Sequence, residues 1–253
     1  DGDGTPEAMF TPLLATDPAA DRVLVRITAR SPRPDPMTGE FIRYTMTSNS
    51  GEIWVLVLAP LLGLPLPLLP LHILWINLVT DGPPGLAFTA EPAEPGIMRR
   101  PPRPPGERIF AHGMWQHIIW VGLFVAGISI ASQAWAISRG VEYWQTVVFT
   151  VLTVSQLFHS LAVRSETASL FRIGLFSNLP MLGAVLLTVL LQLAVIYHPA
   201  LNPVFHTQPL PLFDLLVCLG LSSLVLFAVE AERSEERFSR NAETGHLSRM
   251  PSS

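Results

Sequence analysis

FIRYTMTSNSGEIWVLVLAPLLGLPLPLLPLHILWINLVTDGPPGLAF, residues 41–88, is the stretch that decides the fold. Between Ile53 and Ile76 it holds no Asp, Glu, Lys or Arg, and that run could form a single tilted membrane span. Gly63-Leu64-Pro65-Leu66-Pro67 sits in its middle, however, and Pro70 follows. Proline and glycine at that density favour a tight turn between two helices. The stretch therefore predicts a hairpin of two antiparallel helices, 41–63 and 69–88.

Four further apolar blocks follow, at 111–137, 144–163, 179–198 and 210–230. Each has about the 20 residues that an α-helix needs to cross a bilayer. The chain of 253 residues is 49% hydrophobic and only 14% charged, against about 25% charged for an ordinary soluble domain. The expected fold class is an all-α membrane protein with a six-helix transmembrane bundle over 41–232. Residues 1–40 form a polar N-terminal segment rich in Pro, Asp and Arg, with one β-like run from Arg22 to Thr28. Residues 233–253 read as a disordered tail whose first turns continue the last helix. Loop 89–110, with Pro101, Pro102, Pro104 and Pro105 among its arginines, reads as a stiff, extended strap.

Arginine placement orients the bundle. With six spans, every arginine except Arg139 falls on the side that holds both termini. A single span over 53–76 would break this pattern. The positive-inside rule then makes both termini cytoplasmic. The expectation is an integral, multi-pass protein of a bacterial cell membrane, with membrane lipid as its first partner.

Composition also excludes chemistry. All 16 basic residues are arginine, so there is no P-loop lysine and no Schiff-base lysine. Cys218 is the only cysteine, which removes any intrachain disulfide or paired-thiolate metal site. A net charge of −4 gives no nucleic-acid signal. No Ser-His-Asp spacing stands out for a hydrolase.

Polar side chains inside a membrane span are costly and mark functional sites. In the first helix Asn49 and Glu52 are three apart and share a face. In the second, Asn77, Thr80 and Asp81 fall at i, i+3 and i+4. The hairpin brings the two faces together. The donors are all oxygen, which suits a hard divalent cation. Two carboxylates held close without a cation push one of them towards its protonated form, which makes proton counter-transport a natural consequence. Gly82-Pro83-Pro84 should interrupt the second helix next to Asp81 and free carbonyls at membrane depth.

Three stretches carry a family resemblance. FIRYTMTSNSGE (41–52), LHILWINLVTDG (71–82) and EPAEPGIMRRPPR (91–103) resemble the fifth helix, sixth helix and following loop of type II P-type ATPases. That group includes the sarcoplasmic-reticulum and secretory-pathway calcium pumps and their bacterial relatives. SQLFHSLAVRSETASLFRIGLFSN (155–178) is similar to the eighth helix and its exit loop. The resemblance covers about 41–232 and implies the C-terminal transmembrane region, helices five to ten. By position it assigns ion-ligand roles to Asn49, Glu52, Asn77, Thr80 and Asp81. It implies Ca²⁺ or Mn²⁺ as the transported ion. ATP and Mg²⁺ would act only through phosphorylation, nucleotide-binding and actuator domains, which a separate chain would have to carry. It also implies that loop 89–110 touches the phosphorylation domain.

Departures from the pattern qualify this. The region 143–163 has no carboxylate, and Thr153 stands near the place of an eighth-helix glutamate, which implies a single ion site. Gln156 and Ser155 read as outer-shell or helix-packing groups. His72 replaces a frequent glutamine and reads as a packing or selectivity residue. The DKTGT motif needs a lysine and is absent, so the chain alone should not hydrolyse ATP. DGDGTPEA (1–8) faintly resembles the magnesium motif GDGxNDAP and reads as a degenerate remnant of the phosphorylation domain, with no magnesium role. Thr38-Gly39-Glu40 spells the dephosphorylation motif by chance. His112 and His117 read as interfacial residues. Two functions remain open: the ion-binding part of a divalent cation pump, as a fragment or split subunit, and a non-catalytic membrane protein, either a truncated or decayed pump or a regulatory cation-binding partner.

Overall fold

The computed structural model describes residues 36–91, 114–165 and 169–247. The β-like run, residues 1–8, most of loop 89–110, His112 and the last six residues lie outside them.

Helix α1 (Pro36–Leu61) begins five residues before the expected start, so Thr38-Gly39-Glu40 lies in its opening turns. It ends as a glycine stop requires. Gly63 takes φ 77°. The Leu64 amide donates to the Ala59 carbonyl and the Gly63 amide to the Pro60 carbonyl, both at 3.0 Å. These paired bonds satisfy carbonyls that the helix end leaves open. The chain then turns back through 64–69 into an interrupted second helix. Its parts are α2 (Pro70–Trp75), a π turn (Ile76–Thr80), α3 (Gly82–Ala87) and a 3₁₀ turn (Phe88–Ala90). The hairpin expected from the prolines is the one observed.

Helices α4 (Met114–Ser138), α5 (Trp144–Ala162), the short α6 (Leu170–Ile173), α7 (Leu179–Tyr197), the short α8 (Asn202–Phe205) and α9 (Leu212–Leu247) follow. Helix α4 ends like α1: Gly140 has φ 68° and its amide donates to Ile137 O at 2.9 Å. Among the described residues four helices are long and apolar enough to cross a membrane, namely α4, α5, α7 and residues 212–235 of α9. The six-span count adds α1 and the interrupted 70–90 element to these.

Helix α5 is the centre of the bundle. Its apolar window is 89% buried, against 33% for α7 and for α9. Val148, Phe149 and Leu152 of α5 share one core with Tyr44, Ile76 and Val121. The outward faces carry Leu74, Leu78, Leu190 and Phe227, all well exposed, as a surface that meets lipid requires. Helices α1 and α4 cross closely: a Cβ on Gly122 would stand 2.4 Å from Ser50 Oγ. Small residues permit that approach in membrane bundles.

The last helix runs on to Leu247, beyond the 230 expected for its span.

Candidate cation site

The break beside Asp81 follows from its prolines. A helical residue i bonds its amide to the carbonyl of i−4. Pro83 and Pro84 have no N–H, so the carbonyls of Val79 and Thr80 lose their usual donors. The chain relaxes into a π turn in which the Asp81 amide reaches Ile76 O at 2.9 Å. The Thr188 hydroxyl, from α7, lies 3.2 Å from Val79 O and 2.9 Å from Ala184 O, and shares its proton between them. The Tyr44 hydroxyl, from α1, lies 3.4 Å from Thr80 O. Its proton points chiefly at Asp81 Oδ1, 2.8 Å away.

The two polar faces meet. Asn77 Nδ2 donates to Glu52 Oε2 at 2.9 Å across the hairpin. It also donates to Ile73 O in its own helix, at 2.9 Å. Gln156 Nε2, from α5, donates to Glu52 Oε1 at 3.1 Å. Glu52, Thr80 and Asp81 are buried. Asn49, by contrast, turns its amide back to Thr45 O at 3.0 Å. It is not brought into contact with Glu52 or Asp81 by any hydrogen bond among the described residues. For Asn77 to offer its oxygen to a cation, its amide must turn over.

Three of these residues also carry oxygens without partners. Thr80 Oγ1, Asp81 Oδ2 and Gln156 Oε1 are buried and make no hydrogen bond among the described residues. Buried polar atoms are nearly always satisfied, so unsatisfied oxygens on these residues suit a hard cation. Among the described residues no three His, Cys, Asp or Glu side chains converge as a metal group. The arrangement thus differs from a His- or Cys-rich transition-metal site. It combines two carboxylates with neutral oxygens.

Other expected residues find structural roles. His72 is buried; its Nδ1 accepts from the Leu69 amide at 3.3 Å, so its Nε2–H donates to Phe205 O at 2.6 Å. It caps α2 and ties it to α8, the packing role of the two foreseen. Thr153 and Ser155 are buried in α5, and their hydroxyl oxygens lack partners among the described residues. The α5 side chain that reaches Glu52 is Gln156. His117 is buried within the bundle: its Nδ1 lies 2.6 Å from Glu232 Oε2 and its Nε2 3.2 Å from His159 Nε2. The apolar character of α4 hid it, because its partners come from α5 and α9. Tyr44 was legible in principle, since Tyr44, Ser48 and Glu52 recur every four residues on one face of α1.

Comparison with known proteins agrees with this architecture. The family model described as "Cation transporting ATPase, C-terminus" matches residues 65–234. A calcium-transporting ATPase of Bacillus subtilis (strain 168) is 42% identical over 191 residues, 74% of this chain and 21% of that protein. The human calcium-transporting ATPase type 2C member 1 is 33% identical over 225 residues, 84% of this chain and 23% of that protein. The mouse type 2C member 2 protein is 33% identical over 201 residues, 78% of this chain and 21% of that protein. The chain thus spans between a fifth and a quarter of the length of these relatives. By the family match and these identities, it belongs to the calcium-type P-type ATPases, as their C-terminal membrane region.

Proposed function

We propose that this chain is the ion-binding transmembrane part of an ATP-driven divalent cation pump, with Ca²⁺ as its principal cargo and Mn²⁺ as a second. The observation that carries this is the meeting of Glu52 with Asn77 and Gln156 beside the interrupted helix that presents Asp81. Glu52 and Asp81 supply charge, and Asn77, Thr80 and Asn49 supply neutral oxygens once the two amides turn. The relatives' names, as calcium-transporting ATPases, support the choice of ion.

The bundle crosses the membrane of a bacterial cell six times, α1 and the 70–90 element included, with both termini in the cytoplasm. Only Arg139 then faces outward, which is the support for this orientation. A chain without lysine has no DKTGT motif. Phosphoryl transfer therefore depends on domains that lie outside this sequence.

The test is a titration of the purified chain in lipid nanodiscs with Ca²⁺ and with Mn²⁺, beside Glu52→Gln and Asp81→Asn. Saturable binding by the wild type that either substitution weakens at least tenfold is expected. Equal binding by all three proteins would overturn the reading.

A further inference from the structure

Arg164 is the largest fully buried side chain among the described residues, and no part of the cation site uses it. Its Nε donates to Glu91 Oε2 at 2.9 Å and one terminal nitrogen to Glu91 Oε1 at 2.8 Å, a two-pronged pair. The same nitrogen reaches Ser177 Oγ at 2.6 Å, and the other reaches Gly174 O at 3.2 Å. Glu91 Oε2 also accepts from Asn178 Nδ2 at 2.6 Å, and that nitrogen lies 3.2 Å from Ala87 O. Asn178 Oδ1 in turn caps α7 by accepting from the Met181 amide at 2.8 Å. The knot thus joins the end of the interrupted helix, the end of α5 and the start of α7.

We propose that this knot positions Asp81 for the cation. Helix α3 has six residues, two of them proline, and is too short to hold a direction by itself. Its orientation must come from what grips its ends. At one end Thr188 of α7 shares its proton with Val79 O; at the other Asn178 of α7 holds Ala87 O and Glu91. Helix α5 repeats the arrangement, with Gln156 on Glu52 and Arg164 on Glu91. Eight residues separate Gln156 from Arg164, just past the end of α5, and ten separate Asn178 from Thr188, roughly 12 and 15 Å of helix, so each helix bridges the two places as a strut. Two neighbours therefore each hold the knot at one point, while α7 also holds the start of the break at Val79 and α5 also holds Glu52 of the cation site.

The charge of the pair points to the same role. A buried ion pair adds little stability over a well-packed apolar pair. A guanidinium fork on a carboxylate does fix distance and angle, which an ammonium cannot do. Orientation, rather than stability, accounts for an ion pair here.

The inference rests on the reading of Glu52 and Asp81 as cation ligands, and its test separates the two. Ca²⁺ affinity and thermal midpoint are measured on the full chain in nanodiscs for Glu91→Leu/Arg164→Leu, for Arg164→Lys and for Asp81→Asn. The apolar pair is expected to keep the wild-type midpoint within a few degrees while its Ca²⁺ affinity falls at least tenfold. Arg164→Lys, which keeps the charge and loses the fork, is expected to weaken Ca²⁺ binding at least threefold. If Asp81→Asn loses binding and both knot variants bind like wild type, the knot is structural only and the inference is wrong. Should the apolar pair fail to fold, Arg164→Lys decides by the same readout. If Asp81→Asn binds like wild type, the ligand assignment itself fails and the inference falls with it.

Discussion

Gln156 on α5 donates a hydrogen bond to Glu52 on α1 across 3.1 Å. The contact brings a neutral amide from a third helix onto the carboxylate, and it leaves Gln156 Oε1 buried without a partner among the described residues. Hydrogen bonds to a charged group contribute about 1.5–3 kcal/mol. Gln156→Leu should therefore weaken Ca²⁺ binding by about tenfold, since about 1.4 kcal/mol is tenfold. Isothermal titration of the variant beside wild type checks this. Unchanged affinity would reduce Gln156 to a packing residue.

A second expectation concerns the carbonyl that Pro83 leaves open. Thr188→Val removes the only hydroxyl that the described residues offer to Val79 O, and should cost about 1–2 kcal/mol of stability. Pro83→Ala returns an amide that can close the helical ladder onto that same carbonyl. In the Pro83→Ala background the Thr188→Val cost should therefore shrink by about 1 kcal/mol. Denaturant unfolding of the four proteins of the cycle measures the coupling. Additive effects would mean that the two groups do not share the carbonyl.

The crossing of α1 and α4 gives a third. A methyl on Gly122 would meet Ser50 Oγ at 2.4 Å and Ser50 Cβ at 2.8 Å, whereas one on Gly51 would meet Val125 Cγ1 at 3.2 Å. Gly122→Ala should lose about 1–3 kcal/mol through overpacking, and Gly51→Ala should lose less. Ser50→Ala removes the oxygen and should restore part of the Gly122→Ala loss. Thermal midpoints in one detergent would rank the three, and a reversed order would contradict the crossing geometry.

The hairpin was legible because proline and glycine act locally: Gly63 ends α1, and Pro83 and Pro84 break the second helix beside Asp81. The converging faces were legible because helical spacing places Glu52 and Asp81 without any knowledge of neighbours. What periodicity cannot show is which distant helix completes a contact. Arg164 reads in sequence as one more cytoplasmic arginine, yet its partner Glu91 is 73 residues away and both are buried. In sequence Gln156 reads as an outer-shell or packing group for the same reason. The partners of His117, His159 and Glu232, also belong to other helices. Asn49 shares the face of Glu52 by its spacing, while its amide bonds its own helix.

The last expectation lies at the ends of α4 and α9. Arg139 donates to Asp214 Oδ1 at 2.6 Å, and the Tyr143 hydroxyl donates to Asp214 Oδ2 at 2.6 Å. Arg139 also lies over the Trp135 ring, 4.6 Å from its centroid. The hydrogen bond to Asp214 is the main reason why the Tyr143 phenol ionises above its ordinary range, with burial and the Asp214 charge adding to it. A phenol whose folded value is raised holds its proton more tightly in the folded chain. Its bond to Asp214 is therefore fully present below the unfolded value of about 10, and is lost as pH rises through the folded value. An absorbance titration at alkaline pH should show a late-ionising tyrosine in wild type that is missing in Tyr143→Phe. Asp214→Asn should bring the Tyr143 ionisation back towards its ordinary range. If Asp214→Asn leaves the titration of Tyr143 unchanged, the shift has another source and the three residues do not act together.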